Sequence, residues 1–335
     1  MAVTSPRTSR LASWRTVLLT GNPPPGALDP VSKWLVLTRA AVLPMTLTAA
    51  AVAGLLAARG GGMRVDLFVL AAVGLVLAHM SNNLMNDLFD LDVGNDTENY
   101  PRALYAPHPV LSGLISRGGL ARAALFVNVL DLVILAILFQ ARGWKVVAFA
   151  LAGFLVSVAY TAPPLRLKKH GLGEPSVLLV WGPLMVGGTY YAAMGRVGWD
   201  VIAASIPYSL LCTAVLMGKH LDKAAWDAPT NTRTLPVMLG DERGRGATQW
   251  LMAAFYPLVV ALVIVGWIPW PALIVGLAIP QLAKVWPQFD RPAPEEPPER
   301  WPIWPLWFAP LAFVHTRRAG ALFVLGLAVG AIFSL

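Results

Sequence analysis

The sequence predicts an all-α, polytopic membrane protein with about nine transmembrane helices. Three observations lead there. Mean hydropathy is +0.61, only 13% of residues are charged against 56% hydrophobic, and apolar stretches of about 18 residues or more recur along the chain. A net charge of +8 would point to nucleic acid in a soluble protein. In this composition it marks cytoplasmic loops that meet anionic lipid headgroups, so the expected partner is the lipid bilayer and no nucleic acid. Cys212 is the single cysteine, which rules out an intramolecular disulfide and leaves the redox compartment unread.

Residues 1–33 read as an N-terminal cytoplasmic tail and 34–335 as the transmembrane domain. Arg7, Arg10 and Arg15 interrupt the only apolar stretch of the tail, and GNPPPG follows without a cleavage-like site, so this is no secretory signal. Leu11, Trp14, Val17 and Leu18 share a helical face, which leaves a short interfacial helix and a disordered tail as the two readings. The apolar windows then place spans near 34–58, 66–85, 120–140, 144–161, 175–195, 199–218, 248–267, 269–285 and 318–335. Pro269, Pro271 and Pro280 interrupt the eighth. Between the eighth and ninth, DRPAPEEPPER reads as an exposed loop and WPIWPLWFAPL at 301–311 as a re-entrant or interfacial segment, because Trp favours the headgroup level.

Of the 26 Lys and Arg, 20 fall in the tail and the loops after the even-numbered spans, counting the helix ends that face them; 5 fall in the other loops, and Arg39 lies inside the first span. This bias predicts a multi-pass cell-membrane protein with its N-terminus and even-numbered loops in the cytoplasm and Leu335 on the opposite side.

The carboxylates are placed as unevenly. Asp87, Asp90, Asp92, Asp96 and Glu98 follow the second span, and Asp222 and Asp227 follow the sixth. Asp87 and Asp90, three apart, share a face if the helix continues. A charge at the bilayer centre costs roughly 2.5–3.5 kcal/mol, so these groups belong at a water-accessible mouth, where a cation would offset their repulsion. Few hard oxygen ligands suit Mg²⁺, which keeps several waters and is shared with substrate phosphates. An EF-hand fails on spacing: Gly94 is the fifth residue from Asp90, and position 12 is Pro101. A solvated acidic loop is the plain reading for one such cluster; two on one membrane face, each beside basic residues, weigh against it. The basic residues are Arg102, Lys219, Lys223 and Arg233, with Arg166, Lys168 and Lys169 after the fourth span beside Tyr160. Orienting the protein is the simplest role for such groups. Beside carboxylates that hold Mg²⁺, they also make a diphosphate site.

These stretches resemble the UbiA superfamily of intramembrane prenyltransferases. NNLMNDLFDLDVGND is similar to its first aspartate motif, in the version typical of the 1,4-dihydroxy-2-naphthoate polyprenyltransferase branch. YTAPPLRLKKHGLGE is similar to the loop joining that branch's fourth and fifth helices, and RTLPVMLG at 233–240 to the stretch after its second aspartate motif. The resemblance runs from about residue 35 to 285 and implies a bundle around a central cavity. It implies that Asp87 and Asp90 ligand Mg²⁺, with Asn83, Asn86 and Asp96 in support, and that Asp222 holds a second Mg²⁺. It places Arg102, Tyr160, Arg166 and Lys168 at the diphosphate or its exit, with Arg233 beside them. The family's second motif spaces its aspartates by four; here Asp222 and Asp227 are five apart, an offset of about 140° on an ideal helix. Asp222 is therefore expected to be the ligand and Asp227 to be peripheral, unless the helix ends or bulges and returns it to the metal. Lys219 and Leu221 stand where the family commonly has Asn and Arg, so Lys219 is expected to grip the diphosphate or an acidic acceptor.

The implied reaction moves a polyprenyl group from its diphosphate to an aromatic acceptor, a dihydroxynaphthoate or related hydroquinone precursor, as in menaquinone biosynthesis. Phe89, Tyr160 and Trp181 could face the allylic cation, although packing is the simpler role for each. The rivals are a membrane terpene cyclase of the same superfamily and an ion-coupled transporter. The transporter fits less well, because the acids sit at helix ends on one side and no inverted repeat is visible.

Overall fold

The computed structural model describes residues 9–23, 26–92, 98–299, 301 and 303–333, apart from the Arg102 side chain. Among the described residues there is no strand, and nine helices are long and apolar enough to cross a membrane. In chain order the elements are α1 (Arg10–Thr20), α2 (Pro30–Leu37), a 3₁₀ turn leading into α3 (Leu43–Arg59), α4 (Val65–Asp92), α5 (Pro101–Tyr105), α6 (Arg117–Arg142) and α7 (Trp144–Thr161). The fifth span is α8 (Gly173–Leu179), a π turn at Val180–Leu184 and α9 (Met185–Met194). Then come α10 (Trp199–Asp227), α11 (Leu235–Leu239), α12 (Asp241–Ile264), a 3₁₀ run at Trp270–Ala278 continued by α13 (Ile279–Phe289), and α14 (Phe308–Ile332).

Helix α10 packs against α3, α8, α9, α12 and α14, and α4 against α3, α6, α7 and α9. The main core joins α3, α9, α10, α12 and α14 through Val52, Ala53, Tyr208, Leu211, Phe255 and Phe323. The small residues of α3, among them Ala49, Ala53 and Ala57, are buried to near zero exposure and let neighbouring backbones approach. On α6 and α7, Leu125, Phe126, Val133 and Leu155 point outward, as expected for surfaces that meet lipid.

The spans fall where expected, but two site-bearing helices run past their apolar windows. α4 continues to Asp92 and α10 to Asp227. At 28 residues α4 is about 42 Å long, enough to cross the headgroups as well as the hydrocarbon. Hydropathy stops at the hydrocarbon edge; the backbone ladder does not. The tail is helical from Arg10. Val17 is fully buried, and Trp14 Nε1 donates to Asp29 Oδ1 at 3.0 Å. Asp29 caps α2 by accepting from the Val31 and Ser32 amides, and hydrogen bonds from Ser32 and Trp14 hold its carboxyl at about 2. Trp301 Nε1 donates to Leu306 O at 2.7 Å, and from Phe308 onward the 301–311 segment is the first turn of the last span.

Candidate active site

The ends of α4 and α10 meet the loop after α7. Three segments far apart in sequence thereby converge at one end of the bundle, as the motifs required. On α4, Asp87 is fully buried and paired with Arg39, and His108 Nε2 lies 3.9 Å from the same carboxylate. One turn on, Lys168 Nζ donates to both Asp90 oxygens, at 2.7 and 2.8 Å. Asn83 Nδ2 donates to Thr38 O at 3.0 Å, and Asn86 Oδ1 accepts from Thr161 Oγ1 at 2.6 Å. Both asparagines orient α4 against its neighbours while lining the cavity described below. Asp92 pairs with Arg117 at the surface, outside this cluster.

The loop after α7 reverses at Arg166, whose φ is +40°, and its backbone joins the next loop through Arg233 N to Lys169 O at 3.2 Å. Arg166 Nε is buried without a hydrogen-bond partner. Burial lowers the pKa of the Lys169 ammonium, and the positive charges of Arg166 and Lys168 lower it further. Such crowding favours an incoming anion. The Arg233 side chain is exposed, so its backbone ties the two loops while its guanidinium stays outside the buried cluster.

The two aspartates of α10 sit in different surroundings. Asp222 Oδ1 accepts from Phe308 N at 2.7 Å and Oδ2 from Ala309 N at 2.9 Å. Both its oxygens cap the N-terminus of α14, where orphan amides and the helix dipole favour a carboxylate. Gly218, one turn earlier, permits this: a Cβ there would lie 2.8 Å from Ala309 N and from Phe308 C and O. Asp227, expected to be peripheral, is buried and accepts from Tyr100 OH at 2.6 Å. Lys223 Nζ lies 4.3 Å over the Tyr100 ring. Asp96 lies outside the described residues, and of Arg102 only the backbone, in the first turn of α5, is described.

A cavity of about 1050 Å³ opens from this cluster into the bundle, at the upper end of the range for ligand pockets. Lys219, Tyr160 and Trp181 line it near α10, and Leu135, Phe149 and Phe154 line its apolar reach. Phe89 is not in its wall. Behind Tyr160, its OH is 3.4 Å from His220 Nε2, and His220 Nδ1 is 2.7 Å from Glu174 Oε1.

Sequence reasoning passed over Arg39, His108, His220, Glu174 and Tyr100. Arg39 carried a signal, as a lone charge inside an apolar window; the others depend on contacts between distant segments.

For a divalent ion the two walls differ. Asp87 and Asp90 lie on one face of α4 and give the hard oxygen donors Mg²⁺ takes. No group of three or more His, Cys, Asp or Glu able to hold a metal occurs among the described residues, so water or phosphate oxygens would complete the shell. On α10, both Asp222 oxygens accept from backbone amides and Asp227 accepts from the Tyr100 hydroxyl.

The sequence profile of the UbiA prenyltransferase family matches residues 46–309. The chain belongs to that family. It is a UbiA-type prenyltransferase, and the match covers all three site segments. It is 25% identical over 243 residues to a 2-carboxy-1,4-naphthoquinone phytyltransferase of Synechocystis, covering 72% of this chain and 75% of the relative. A 1,4-dihydroxy-2-naphthoate octaprenyltransferase of Haemophilus influenzae is 30% identical over 223 residues, covering 64% and 71%. A UbiA homolog from Archaeoglobus fulgidus, solved bound to GPP and Mg²⁺, superposes with a TM-score of 0.54 at 18% identity over 87% of this chain and 99% of that one. At that identity the likeness is one of fold.

Proposed function

We propose that this UbiA-family protein transfers a polyprenyl group from an allylic diphosphate to an aromatic acceptor, a dihydroxynaphthoate or related hydroquinone precursor, at the cytoplasmic face of a cell membrane. The observation that carries this is that Arg39, paired with the buried Asp87, lines a long and mostly apolar cavity together with Asn83, Asn86 and Lys219, with the Lys168–Asp90 pair one turn further along the same helix. The diphosphate sits among Arg39, Arg166, Lys168 and Lys219, and the isoprenoid tail fills the apolar reach. Held by Asp87 and Asp90, Mg²⁺ would supply Lewis-acid stabilisation of the leaving diphosphate.

The allylic C–O bond breaks with its electron pair on the diphosphate oxygen, and the basic groups stabilise that charge. The helix bundle keeps water from the allylic cation. The electron-rich ring carbon attacks it, and loss of carbon dioxide from the naphthoate returns its bonding pair to the ring. Support for the naphthoate comes from the Synechocystis and Haemophilus relatives, whose names specify naphthalene-ring acceptors, and from the first-motif spacing. Incubation with a long-chain allylic diphosphate and Mg²⁺, with and without dihydroxynaphthoate, followed by mass spectrometry, tests this. The prenylated naphthalene supports the reading. Diphosphate release with a cyclic hydrocarbon and no acceptor adduct replaces it with cyclisation, and no consumption of diphosphate rejects both.

A further inference from the structure

We propose that His79 holds the aromatic acceptor, donating a hydrogen bond from Nε2 to one of the acceptor's oxygens on the α3–α10 side of the cavity. The inference rests on the prenyl-transfer reading above and deepens it by naming the side chain that recognises the acceptor.

His79 lies on α4 two turns before Asp87, about 12 Å further into the bundle. It lines the cavity and is only 6% exposed. Its Nδ1 is 2.7 Å from Thr46 Oγ1 on α3. Thr46 is fully buried, and among the described residues its hydroxyl meets no acceptor except that nitrogen. A buried O–H without an acceptor is costly, so Thr46 donates, Nδ1 accepts, and the ring carries its proton on Nε2. The indole of Trp181 meets the imidazole edge-on, with centroids 5.3 Å apart at 89°, and fixes its plane. Nε2 has no hydrogen-bond partner among the described residues. A donor held this firmly at a cavity wall, and left unused by the protein, is a place for a ligand oxygen.

That ligand is the acceptor. Arg39 and Lys219 line the same cavity and lie near enough for their charges to act at the His79 ring, so the surroundings favour a phenolic or carboxylic oxygen. Trp181, also in the cavity wall, offers a flat apolar surface to a fused ring. The diphosphate is bound further out, because Asp87 and Asp90 lie two and three turns along α4. The isoprenoid has no oxygen to offer. Elsewhere on α4, Gly74 faces Ile134 of α6, and the wall continues there with Leu135, Phe149 and Phe154. The tail belongs on that side. Acceptor and isoprenoid thus lie against different faces of α4 and meet beneath the diphosphate, as an attack distance of about 3–3.5 Å requires.

The test uses the full-length protein in detergent with farnesyl diphosphate, Mg²⁺ and 1,4-dihydroxy-2-naphthoate. It measures KM for each substrate and, separately, equilibrium binding of unreactive farnesyl thiolodiphosphate. His79→Phe keeps a ring against Trp181 and removes the donor. It is expected to raise the naphthoate KM roughly tenfold or more, and to leave analogue affinity within about twofold. An unchanged naphthoate KM overturns the proposal. An equal loss for both ligands also overturns it, since His79 would then be a packing residue. The inhibition constant of 1,4-dihydroxynaphthalene, which lacks the carboxylate, separates the two oxygens: a rise in His79→Phe assigns a ring hydroxyl, no rise assigns the carboxylate, and either supports the proposal. Should His79→Phe not fold, Thr46→Val keeps the shape and removes the hydroxyl that sets the tautomer. It is expected to raise the naphthoate KM roughly threefold with the analogue unaffected, and no change refutes the proposal. A natural chain that forms no prenylated naphthalene would remove the reading beneath, whereas product formation with unaltered His79→Phe kinetics removes only the role of His79.

Discussion

The Lys168 ammonium reaches both oxygens of Asp90, at 2.7 and 2.8 Å, with the two side chains only 11% and 13% exposed. Removing one partner of a pair this buried leaves a lone charge, at a cost of about 3–5 kcal/mol. Lys168→Met should therefore lower the unfolding temperature in detergent and also turnover. The double variant Asp90→Asn with Lys168→Met should recover much of the stability and none of the activity. Recovery of both together would make the pair purely structural.

Asp222→Asn and Asp227→Asn should separate. The first keeps one oxygen for the α14 amides and loses the charge, so about 1–3 kcal/mol of stability goes while most turnover stays. The second removes the buried carboxylate that accepts from Tyr100 OH; if it serves the diphosphate site, turnover should fall at least tenfold, about 1.4 kcal/mol in barrier. Thermal unfolding and diphosphate release, measured on both, check the reversal; a larger turnover loss in Asp222→Asn would restore it as the metal ligand.

Gly218→Val should destabilise the protein by about 1–3 kcal/mol, since the new side chain overpacks against backbone that cannot yield. Gly246→Ala is the control: nothing lies within 4 Å of a Cβ there, and in a helix the change is neutral or favourable by up to ~1 kcal/mol. Equal melting shifts in the two would contradict the close approach of α10 and α14.

Single cysteines at the exposed positions Glu98, Leu165 and Arg233, in a Cys212→Ala background, should all react with a membrane-impermeant thiol reagent from the cytoplasmic side. One at Trp199, 82% exposed at the other end of α10, should react from the opposite side. Labelling of Glu98 and Leu165 from different sides would dismantle the site.

Where an element depends on hydrocarbon, the sequence states it well: all nine spans overlap the apolar windows. The windows close too early on α4 and α10 because Asn83, Asn86, Lys219 and Asp222 lower the hydropathy while the helices continue. The three converging motifs were legible as well, since their spacing survives without coordinates. Arg39 was hidden by its surroundings, being counted as a residue within a span although it pairs with Asp87. The fate of Asp222 was not legible at all: its partners are two backbone amides in a Trp/Pro-rich stretch, and amides carry no sequence signature. His220 and Glu174 meet across 46 residues for the same kind of reason.

The distance along the chain between Asp222 and its cap also has a meaning in time. The two are 86 residues apart, so at about 5–20 residues per second the last helix leaves the ribosome on the order of ten seconds after the acid it will satisfy. During that interval the seventh and eighth spans are made, and an aspartate waits in the bundle with no amide to hold. Insertion of α14 is thus the event that settles the wall of the site, and biogenesis is complete only when the ninth span docks. A chain cut ahead of residue 308 is expected to be degraded in the cell instead of accumulating as an eight-span form.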